Sequence, residues 1–171
     1  TATAVLVEFL RAAGAELSFY IPDRRSEGYG LKADYIRRHA VSAGIDLIVT
    51  ADCGSSDHEA VAAARRAGID VIVTDHHLIK APYPDAVAVI NPQRDDCLSG
   101  FEHLSGAGVA FYLVVALRKH LRDKGYWQRR REPNLKRFCD LLALGTVADM
   151  VPLVAENRIF TRVGLEIMRA D

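Results

Sequence analysis

Three features of the 171-residue sequence predict an α/β fold, a mostly parallel sheet with helices on both faces. Short apolar runs recur at Ile45–Val49, Val71–Val73 and Ala86–Ile90, and helical patterns separate them. Two of those runs lead into polar clusters, Asp52-Cys53-Gly54-Ser55-Ser56-Asp57 and Asp75-His76-His77. Strands that alternate with helices favour parallel pairing, because a parallel crossover needs a helix's length of chain. Ligands of open α/β sheets bind at the carboxyl ends of the strands, where no helix covers the rim, so both clusters fall where chemistry belongs.

Taken in order, Thr1–Ala13 carries Val5, Leu6, Phe9, Leu10 and Ala13 on one stripe and stops at Gly14, as an amphipathic helix would. Glu16–Ile21 reads as a short strand, and Pro22–Gly30 as a polar loop in which Arg24 or Arg25 could reach a phosphate and Tyr29 could stack on a base. Leu31–Ala43 is expected to be helical, with Gly44 ending it before the strand that leads to Asp52. Ser55, Ser56 or Asp57 then caps an alanine-rich helix reaching Ala67, and free N–H groups in that turn could hold an anion. After Val71–Val73 and its polar triplet, Ala86–Ile90 is a further strand, closed by Asn91-Pro92.

Ser105-Gly106-Ala107-Gly108 opens a long helix to about Lys124; its glycines suit close approach of a phosphate or of another helix. Asn134–Leu144 is expected to be helical and to break at Gly145. Asp149 comes next among apolar neighbours, ahead of Pro152, which argues for a carboxylate held at a fixed spot. Glu156–Arg169 is the last amphipathic helix.

Composition bounds the function loosely. Apolar residues make up 50% of the chain, enough for a core, and 22 bases balance 22 acids, so net charge selects no partner. Nine Lys or Arg lie between Arg118 and Arg137 against only Asp123 and Glu132. Such a segment suits a phosphate-polymer enzyme, although on charge alone a solubilising helix end is favoured. Cys53, Cys97 and Cys139 are odd in number and lack metal-ligand spacing, so a reduced, cytoplasmic setting is expected, with no membrane span or signal peptide in the pattern. Cys53 fits a tight turn rather than a nucleophile, and His39, His58, His103 and His120 read as packing or surface residues. On an extended chain neighbours point to opposite sides, so His76 and His77 are expected to do different jobs.

Three segments together resemble successive motifs of the DHH phosphoesterases: Thr50-Ala51-Asp52-Cys53-Gly54-Ser55-Ser56, Val73-Thr74-Asp75-His76-His77, and Leu144-Gly145-Thr146-Val147-Ala148-Asp149-Met150-Val151-Pro152-Leu153. The last of these, with Ile21–Gly30 and Leu104–Phe111, is similar to the family's single-stranded-DNA exonucleases. The resemblance implies that Asp52 bridges two divalent ions, with His76 and Asp149 as further ligands. It places His77 on the scissile phosphate, Asp75 in support, and Arg25 on the phosphate backbone. Gly54, Ser55, Gly106 and Gly108 complete the expected phosphate-binding set. Mixed oxygen and imidazole ligation favours two Mn²⁺ ions, with Mg²⁺ as a substitute.

The implied activity is two-metal hydrolysis of single-stranded DNA from 5′ to 3′, in repair and recombination. The implied molecule is a monomer working with single-stranded DNA and with single-strand-binding protein. One departure stands out. The family's Asp-x-Asp-Gly motif is missing, and Thr1–Val5 resembles the residues immediately after it, so residues 1–171 are expected to be the metal-binding catalytic domain without its first strand, and without the second substrate-binding domain. Alone it is expected to bind metal weakly and to be inactive. The alternatives are an oligoribonuclease, nucleotide phosphatase or pyrophosphatase of the same family, against which the basic stretch and the Gly-Thr-Val-Ala-Asp segment weigh, or a scaffold that has lost the chemistry. The presence of Asp52, His76 and Asp149 counts against the scaffold.

Overall fold

The structure is a computed structural model that describes residues 1–170. Backbone contacts divide the chain into two compact units, Tyr20–Glu102 and a second built from Thr1–Phe19 and the chain from His103 on.

The first unit is the α/β unit. Among the described residues its sheet has three parallel strands in the order β1 (Leu47–Val49), β2 (Asp70–Thr74), β3 (Ala88–Ile90). The expected fold class, an α/β fold on a parallel sheet, is therefore observed. Val71 and Val73 of β2 point into a core with Ile69 and with Val61 and Ala64 of α3 (His58–Arg66). Ala33 of α2 (Ala33–Tyr35) and Ile36 and Ala40 of the adjoining π-helical turn complete it. The expected helix from Leu31 is thus widened after one turn, yet Ala33, Ile36 and Ala40 still form one buried stripe.

The second unit is helical: α1 (Ala2–Ala12), α4 (Gly106–Asp123), α5 (Cys139–Ala148) and α6 (Ala155–Ala170). Val5 and Phe9 of α1, Val114 of α4, Leu142 of α5 and Phe160 of α6 are among its buried large side chains. Phe111 meets Phe160 edge-on with ring centroids 5.3 Å apart, and Phe9 meets Trp127 similarly at 6.4 Å. Part of the basic segment serves the structure. Arg118 and Arg122 both pair with Glu132, Arg130 lies 4.5 Å from the Tyr126 ring centre, and Arg137 reaches Glu8 at 3.3 Å.

Two expected boundaries are corrected. Glu16–Ile21 is not a strand: all but Leu17 of these side chains are exposed, and the segment joins no ladder among the described residues. The helix through Leu144 does not break at Gly145 but runs on to Ala148. Gly145 is a packing residue, because a Cβ there would lie 2.7 Å from both Ala107 Cβ and Thr1 Oγ1. The stop falls at Asp149, the C-cap, followed by Met150 with φ +54°.

Candidate metal centre

The end of β1 and the turn after it are built by threonines. Thr50 Oγ1 donates to Cys53 O at 2.7 Å and accepts from Thr74 N at 3.1 Å, while Thr74 Oγ1 donates to Thr50 O at 2.5 Å. Both threonines are buried, so these bonds replace water that cannot reach them. The chain then reverses sharply, with Asp52 at φ +65° and Gly54 at φ +112°. Aspartate is one of the few side chains that tolerates the left-handed region. Gly54 has no alternative, since a Cβ would lie 2.8 Å from Thr50 Oγ1 and 3.0 Å from Val73 Cγ1.

At the end of β2, Asp75 is buried and organises the next two residues. Its Oδ1 accepts from His76 N at 2.8 Å, His77 N at 3.3 Å and His77 Nδ1 at 2.7 Å, and its Oδ2 from Ser55 N at 3.0 Å. Burial works to raise the Asp75 pKa, but the bonds from His77, Ser55 and His76 outweigh it and hold the carboxyl below its usual value. Because Asp75 draws in both following amides, the chain is no longer extended after β2. The two imidazoles therefore do not alternate: their centroids are 4.6 Å apart, and the expectation that they point opposite ways does not hold.

Asp52, His76 and His77 converge as a result. Each offers one ligand atom, all within 4.8 Å of one another. His76 Nε2 faces Asp52 Oδ1 at 3.2 Å, and that carboxylate oxygen is buried without accepting a hydrogen bond. A buried, unbonded anionic oxygen beside imidazole nitrogens is what a borderline divalent cation requires, so the donor set fits such an ion. Cys53 plays no part as a nucleophile: burial first, then the Asp57 and Asp75 charges, push its thiol up to about 12.

The other expected residues take varied places. Ser55 is buried, and its N–H goes to Asp75, which occupies the amide that the sequence offers to an anion. Asp57 does not cap α3 with its side chain; its Oδ2 accepts from Leu31 N at 2.6 Å and pins the polar loop at Gly30, where φ is +87°. Arg25 is exposed on that loop, with its N–H bonded to Asp23 Oδ1 at 2.7 Å. Arg24, rather than Arg25, lies over the Tyr29 ring at 5.3 Å. Tyr29 in turn donates to Asp52 O and meets the His77 ring at 5.7 Å between centroids. Burial, then the Asp52 and Asp75 charges, keep its phenol protonated. Asp149, Gly106 and Gly108 belong to the helical unit. The two glycines are buried at the start of α4, where Gly108 N donates to the Ser105 cap at 3.2 Å and a Cβ on Gly108 would lie 3.1 Å from Leu104.

Two residues at the site escaped their sequence reading. Tyr29 serves Asp52 and His77 rather than standing as an open platform, and Asn91, read only as the close of a strand, bonds to His77. Asn91 carries the same signal as Asp52 and Asp75, a polar residue at the carboxyl end of an apolar run.

A parallel α/β unit that gathers carboxylate and imidazole at its carboxyl rim is the class this architecture defines. The chain belongs to the DHH family, whose N-terminal domain model matches residues 1–146. It is 50% identical to the single-stranded-DNA-specific exonuclease RecJ of Salmonella typhimurium, over 99% of this chain and 30% of that protein. It is similar in structure to a crystal structure of exonuclease RecJ bound to manganese, with TM-score 0.79 and 36% identity, covering 96% of this chain and 39% of the other. A second structure, RecJ in complex with Mn²⁺ from Thermus thermophilus, matches with TM-score 0.76 and 33% identity, covering 99% of this chain and 22% of the other. The chain thus spans about a third of the length of the curated relative.

Proposed function

We propose that the chain is the metal-binding catalytic part of a DHH exonuclease that degrades single-stranded DNA from 5′ to 3′, in repair and recombination in the cytoplasm. The observation that carries this is the meeting of Asp52, His76 and His77 ligand atoms within 4.8 Å, at strand ends where the Asp52 oxygen lacks a hydrogen bond. The likeness to RecJ supports the substrate class.

Asp52 and His76 would hold the metal, with Asp149 as a further ligand; the fit is to Mn²⁺, as two ions, with Mg²⁺ as a substitute. Bound there, divalent metal supplies the Lewis acidity that phosphodiester hydrolysis needs. Asp75 orients His77 through the bond to Nδ1, so that the imidazole is presented to the phosphate in one orientation. Arg25, together with Arg24 stacked on Tyr29, lies on the loop that would meet the phosphate backbone. The protein works as a monomer, with single-strand-binding protein as a partner.

Digestion of long single strands, dinucleotides and pyrophosphate by the intact protein with Mn²⁺ tests the reading. Long strands are expected to be consumed, and His76→Ala to lower turnover more than about 100-fold, beyond the 10–100-fold typical of groups that merely support a ligand. Preference for dinucleotides or pyrophosphate would overturn the substrate, and turnover surviving His76→Ala would overturn the ligand assignment.

A further inference from the structure

Asn91 lies just beyond the last residue of β3 and is buried, 3% exposed, with every polar atom of its carboxamide engaged. Its Nδ2 donates to Ser55 Oγ at 2.8 Å and to His77 O at 2.9 Å, and its Oδ1 accepts from Gln93 N at 2.8 Å. Ser55 N donates to Asp75 Oδ2, and Asp75 Oδ1 meets His77 Nδ1. These contacts close on themselves: Asn91 to Ser55, Ser55 to Asp75, Asp75 to His77, and His77 back to Asn91. The ring links the turn after β1, the end of β2 and the end of β3, which are the three segments that form the rim.

We propose that Asn91 is a positioning residue for the metal centre, fixing through this closed ring of hydrogen bonds which nitrogen of His77 carries the proton and where the imidazole points. The proposal rests on the reading of Asp52 and His76 as metal ligands with the His77 imidazole beside them, turned to the phosphate, and extends it to a residue outside the three motifs.

The directions of the bonds enforce the result. Ser55, His76 and His77 all aim backbone N–H groups at the Asp75 carboxylate, so the remaining contact, His77 Nδ1, must also bring a hydrogen. Nε2 is then the ring nitrogen that Asp75 does not engage. Asn91 holds the other end of the residue: its grip on His77 O fixes the main chain from which that ring projects. Because Ser55 Oγ accepts from Asn91, the Ser55 hydroxyl hydrogen is free to turn toward Asp75, which adds to the donors there. An apolar side chain at 91 would deprive both Ser55 Oγ and His77 O of that donor, and at Ser55 Oγ, which is buried, water could not replace it.

The test reads the imidazole directly. Long-range ¹H–¹⁵N correlation spectra of the ¹⁵N-labelled protein should show wild-type His77 as a single Nδ1–H tautomer. Asn91→Ala should give mixed or exchanging His77 tautomers and lower the Mn²⁺-dependent turnover of single-stranded DNA about 10–100-fold, the range for partners that orient a group at a metal site. Ser55→Ala cuts the ring at another bond while the Asn91–His77 contact stays, and should give a smaller shift of the same signals. A folded Asn91→Ala protein with wild-type His77 signals overturns the proposal. Should Asn91→Ala fail to fold, unchanged His77 signals in Ser55→Ala overturn it instead. Wild-type protein that binds no Mn²⁺ would sink the metal reading, while the tautomer spectra would still decide the ring.

Discussion

In the α/β unit, the side chains of Thr50, Thr74, Asp75 and Asn91 are all buried, and each bonds to backbone groups of a strand end or turn. The helical unit is assembled by close approach. Gly164 of α6 lies against α5 so tightly that a Cβ would overlap the main chain at Cys139 and come within 2.5 Å of Ala143 Cβ, and Gly145 gives α5 similar closeness to Ala107. Among the described residues, Asn157 Oδ1 and Thr161 Oγ1 there are buried without a hydrogen bond and away from any candidate site, whereas in the α/β unit Asp52 Oδ1 lacks one at the candidate metal centre itself. A polar lattice fixes direction as well as distance, which is what ligand atoms need; steric fit fixes distance alone.

The contrast can be broken from either side. Gly164→Ala should be the most damaging, about 3 kcal/mol in denaturant unfolding, because main-chain atoms of Cys139 cannot step aside as a side chain could. A loss under about 0.5 kcal/mol, the size of an ordinary surface change, would show that the helices are not in such contact. Thr50→Val keeps the shape but leaves the buried Thr74 N–H without its acceptor, and should cost about 1–3 kcal/mol. If Thr50→Val proves as stable as wild type, the lattice does not carry the strand end.

The smallest effect concerns acid. Glu156 lies in the first turn of α6, and its carboxyl is held below the ordinary glutamate value of 4.5, first by its own backbone N–H and then by the bond to His103. A folded-state pKa below the unfolded one gives stability that is present above pH 4.5 and lost as pH falls through the folded value. Glu156→Gln should therefore flatten the stability profile below about pH 4.5 and leave its slope above about pH 6 unchanged. An unaltered acid limb would mean that the pair is not formed in solution.

Much of this was legible in the sequence, for definite reasons. β1, β2 and β3 were marked by apolar runs, and Asp52, Asp75, His76 and His77 by lying where those runs end. Periodicity found α1 and α6 because their buried residues recur on one stripe. It misplaced the end of α5, since a glycine that stops a helix and one that lets a helix approach another look alike in one dimension. It missed the side-by-side histidines because alternation assumes an extended chain, whereas Asp75 bends the chain by bonding to the two amides after it. Asn91 was hidden for a related reason: its partners are 36 and 14 residues away.

The left-handed main chain at Asp52, φ +65°, carries a lesson for mutagenesis. Truncating this residue to alanine discards the carboxylate and also puts a side chain without polar reach into a conformation that costs an L-residue roughly 1–2 kcal/mol. Asparagine tolerates the same geometry, so only the Asn variant isolates the contribution of the charge.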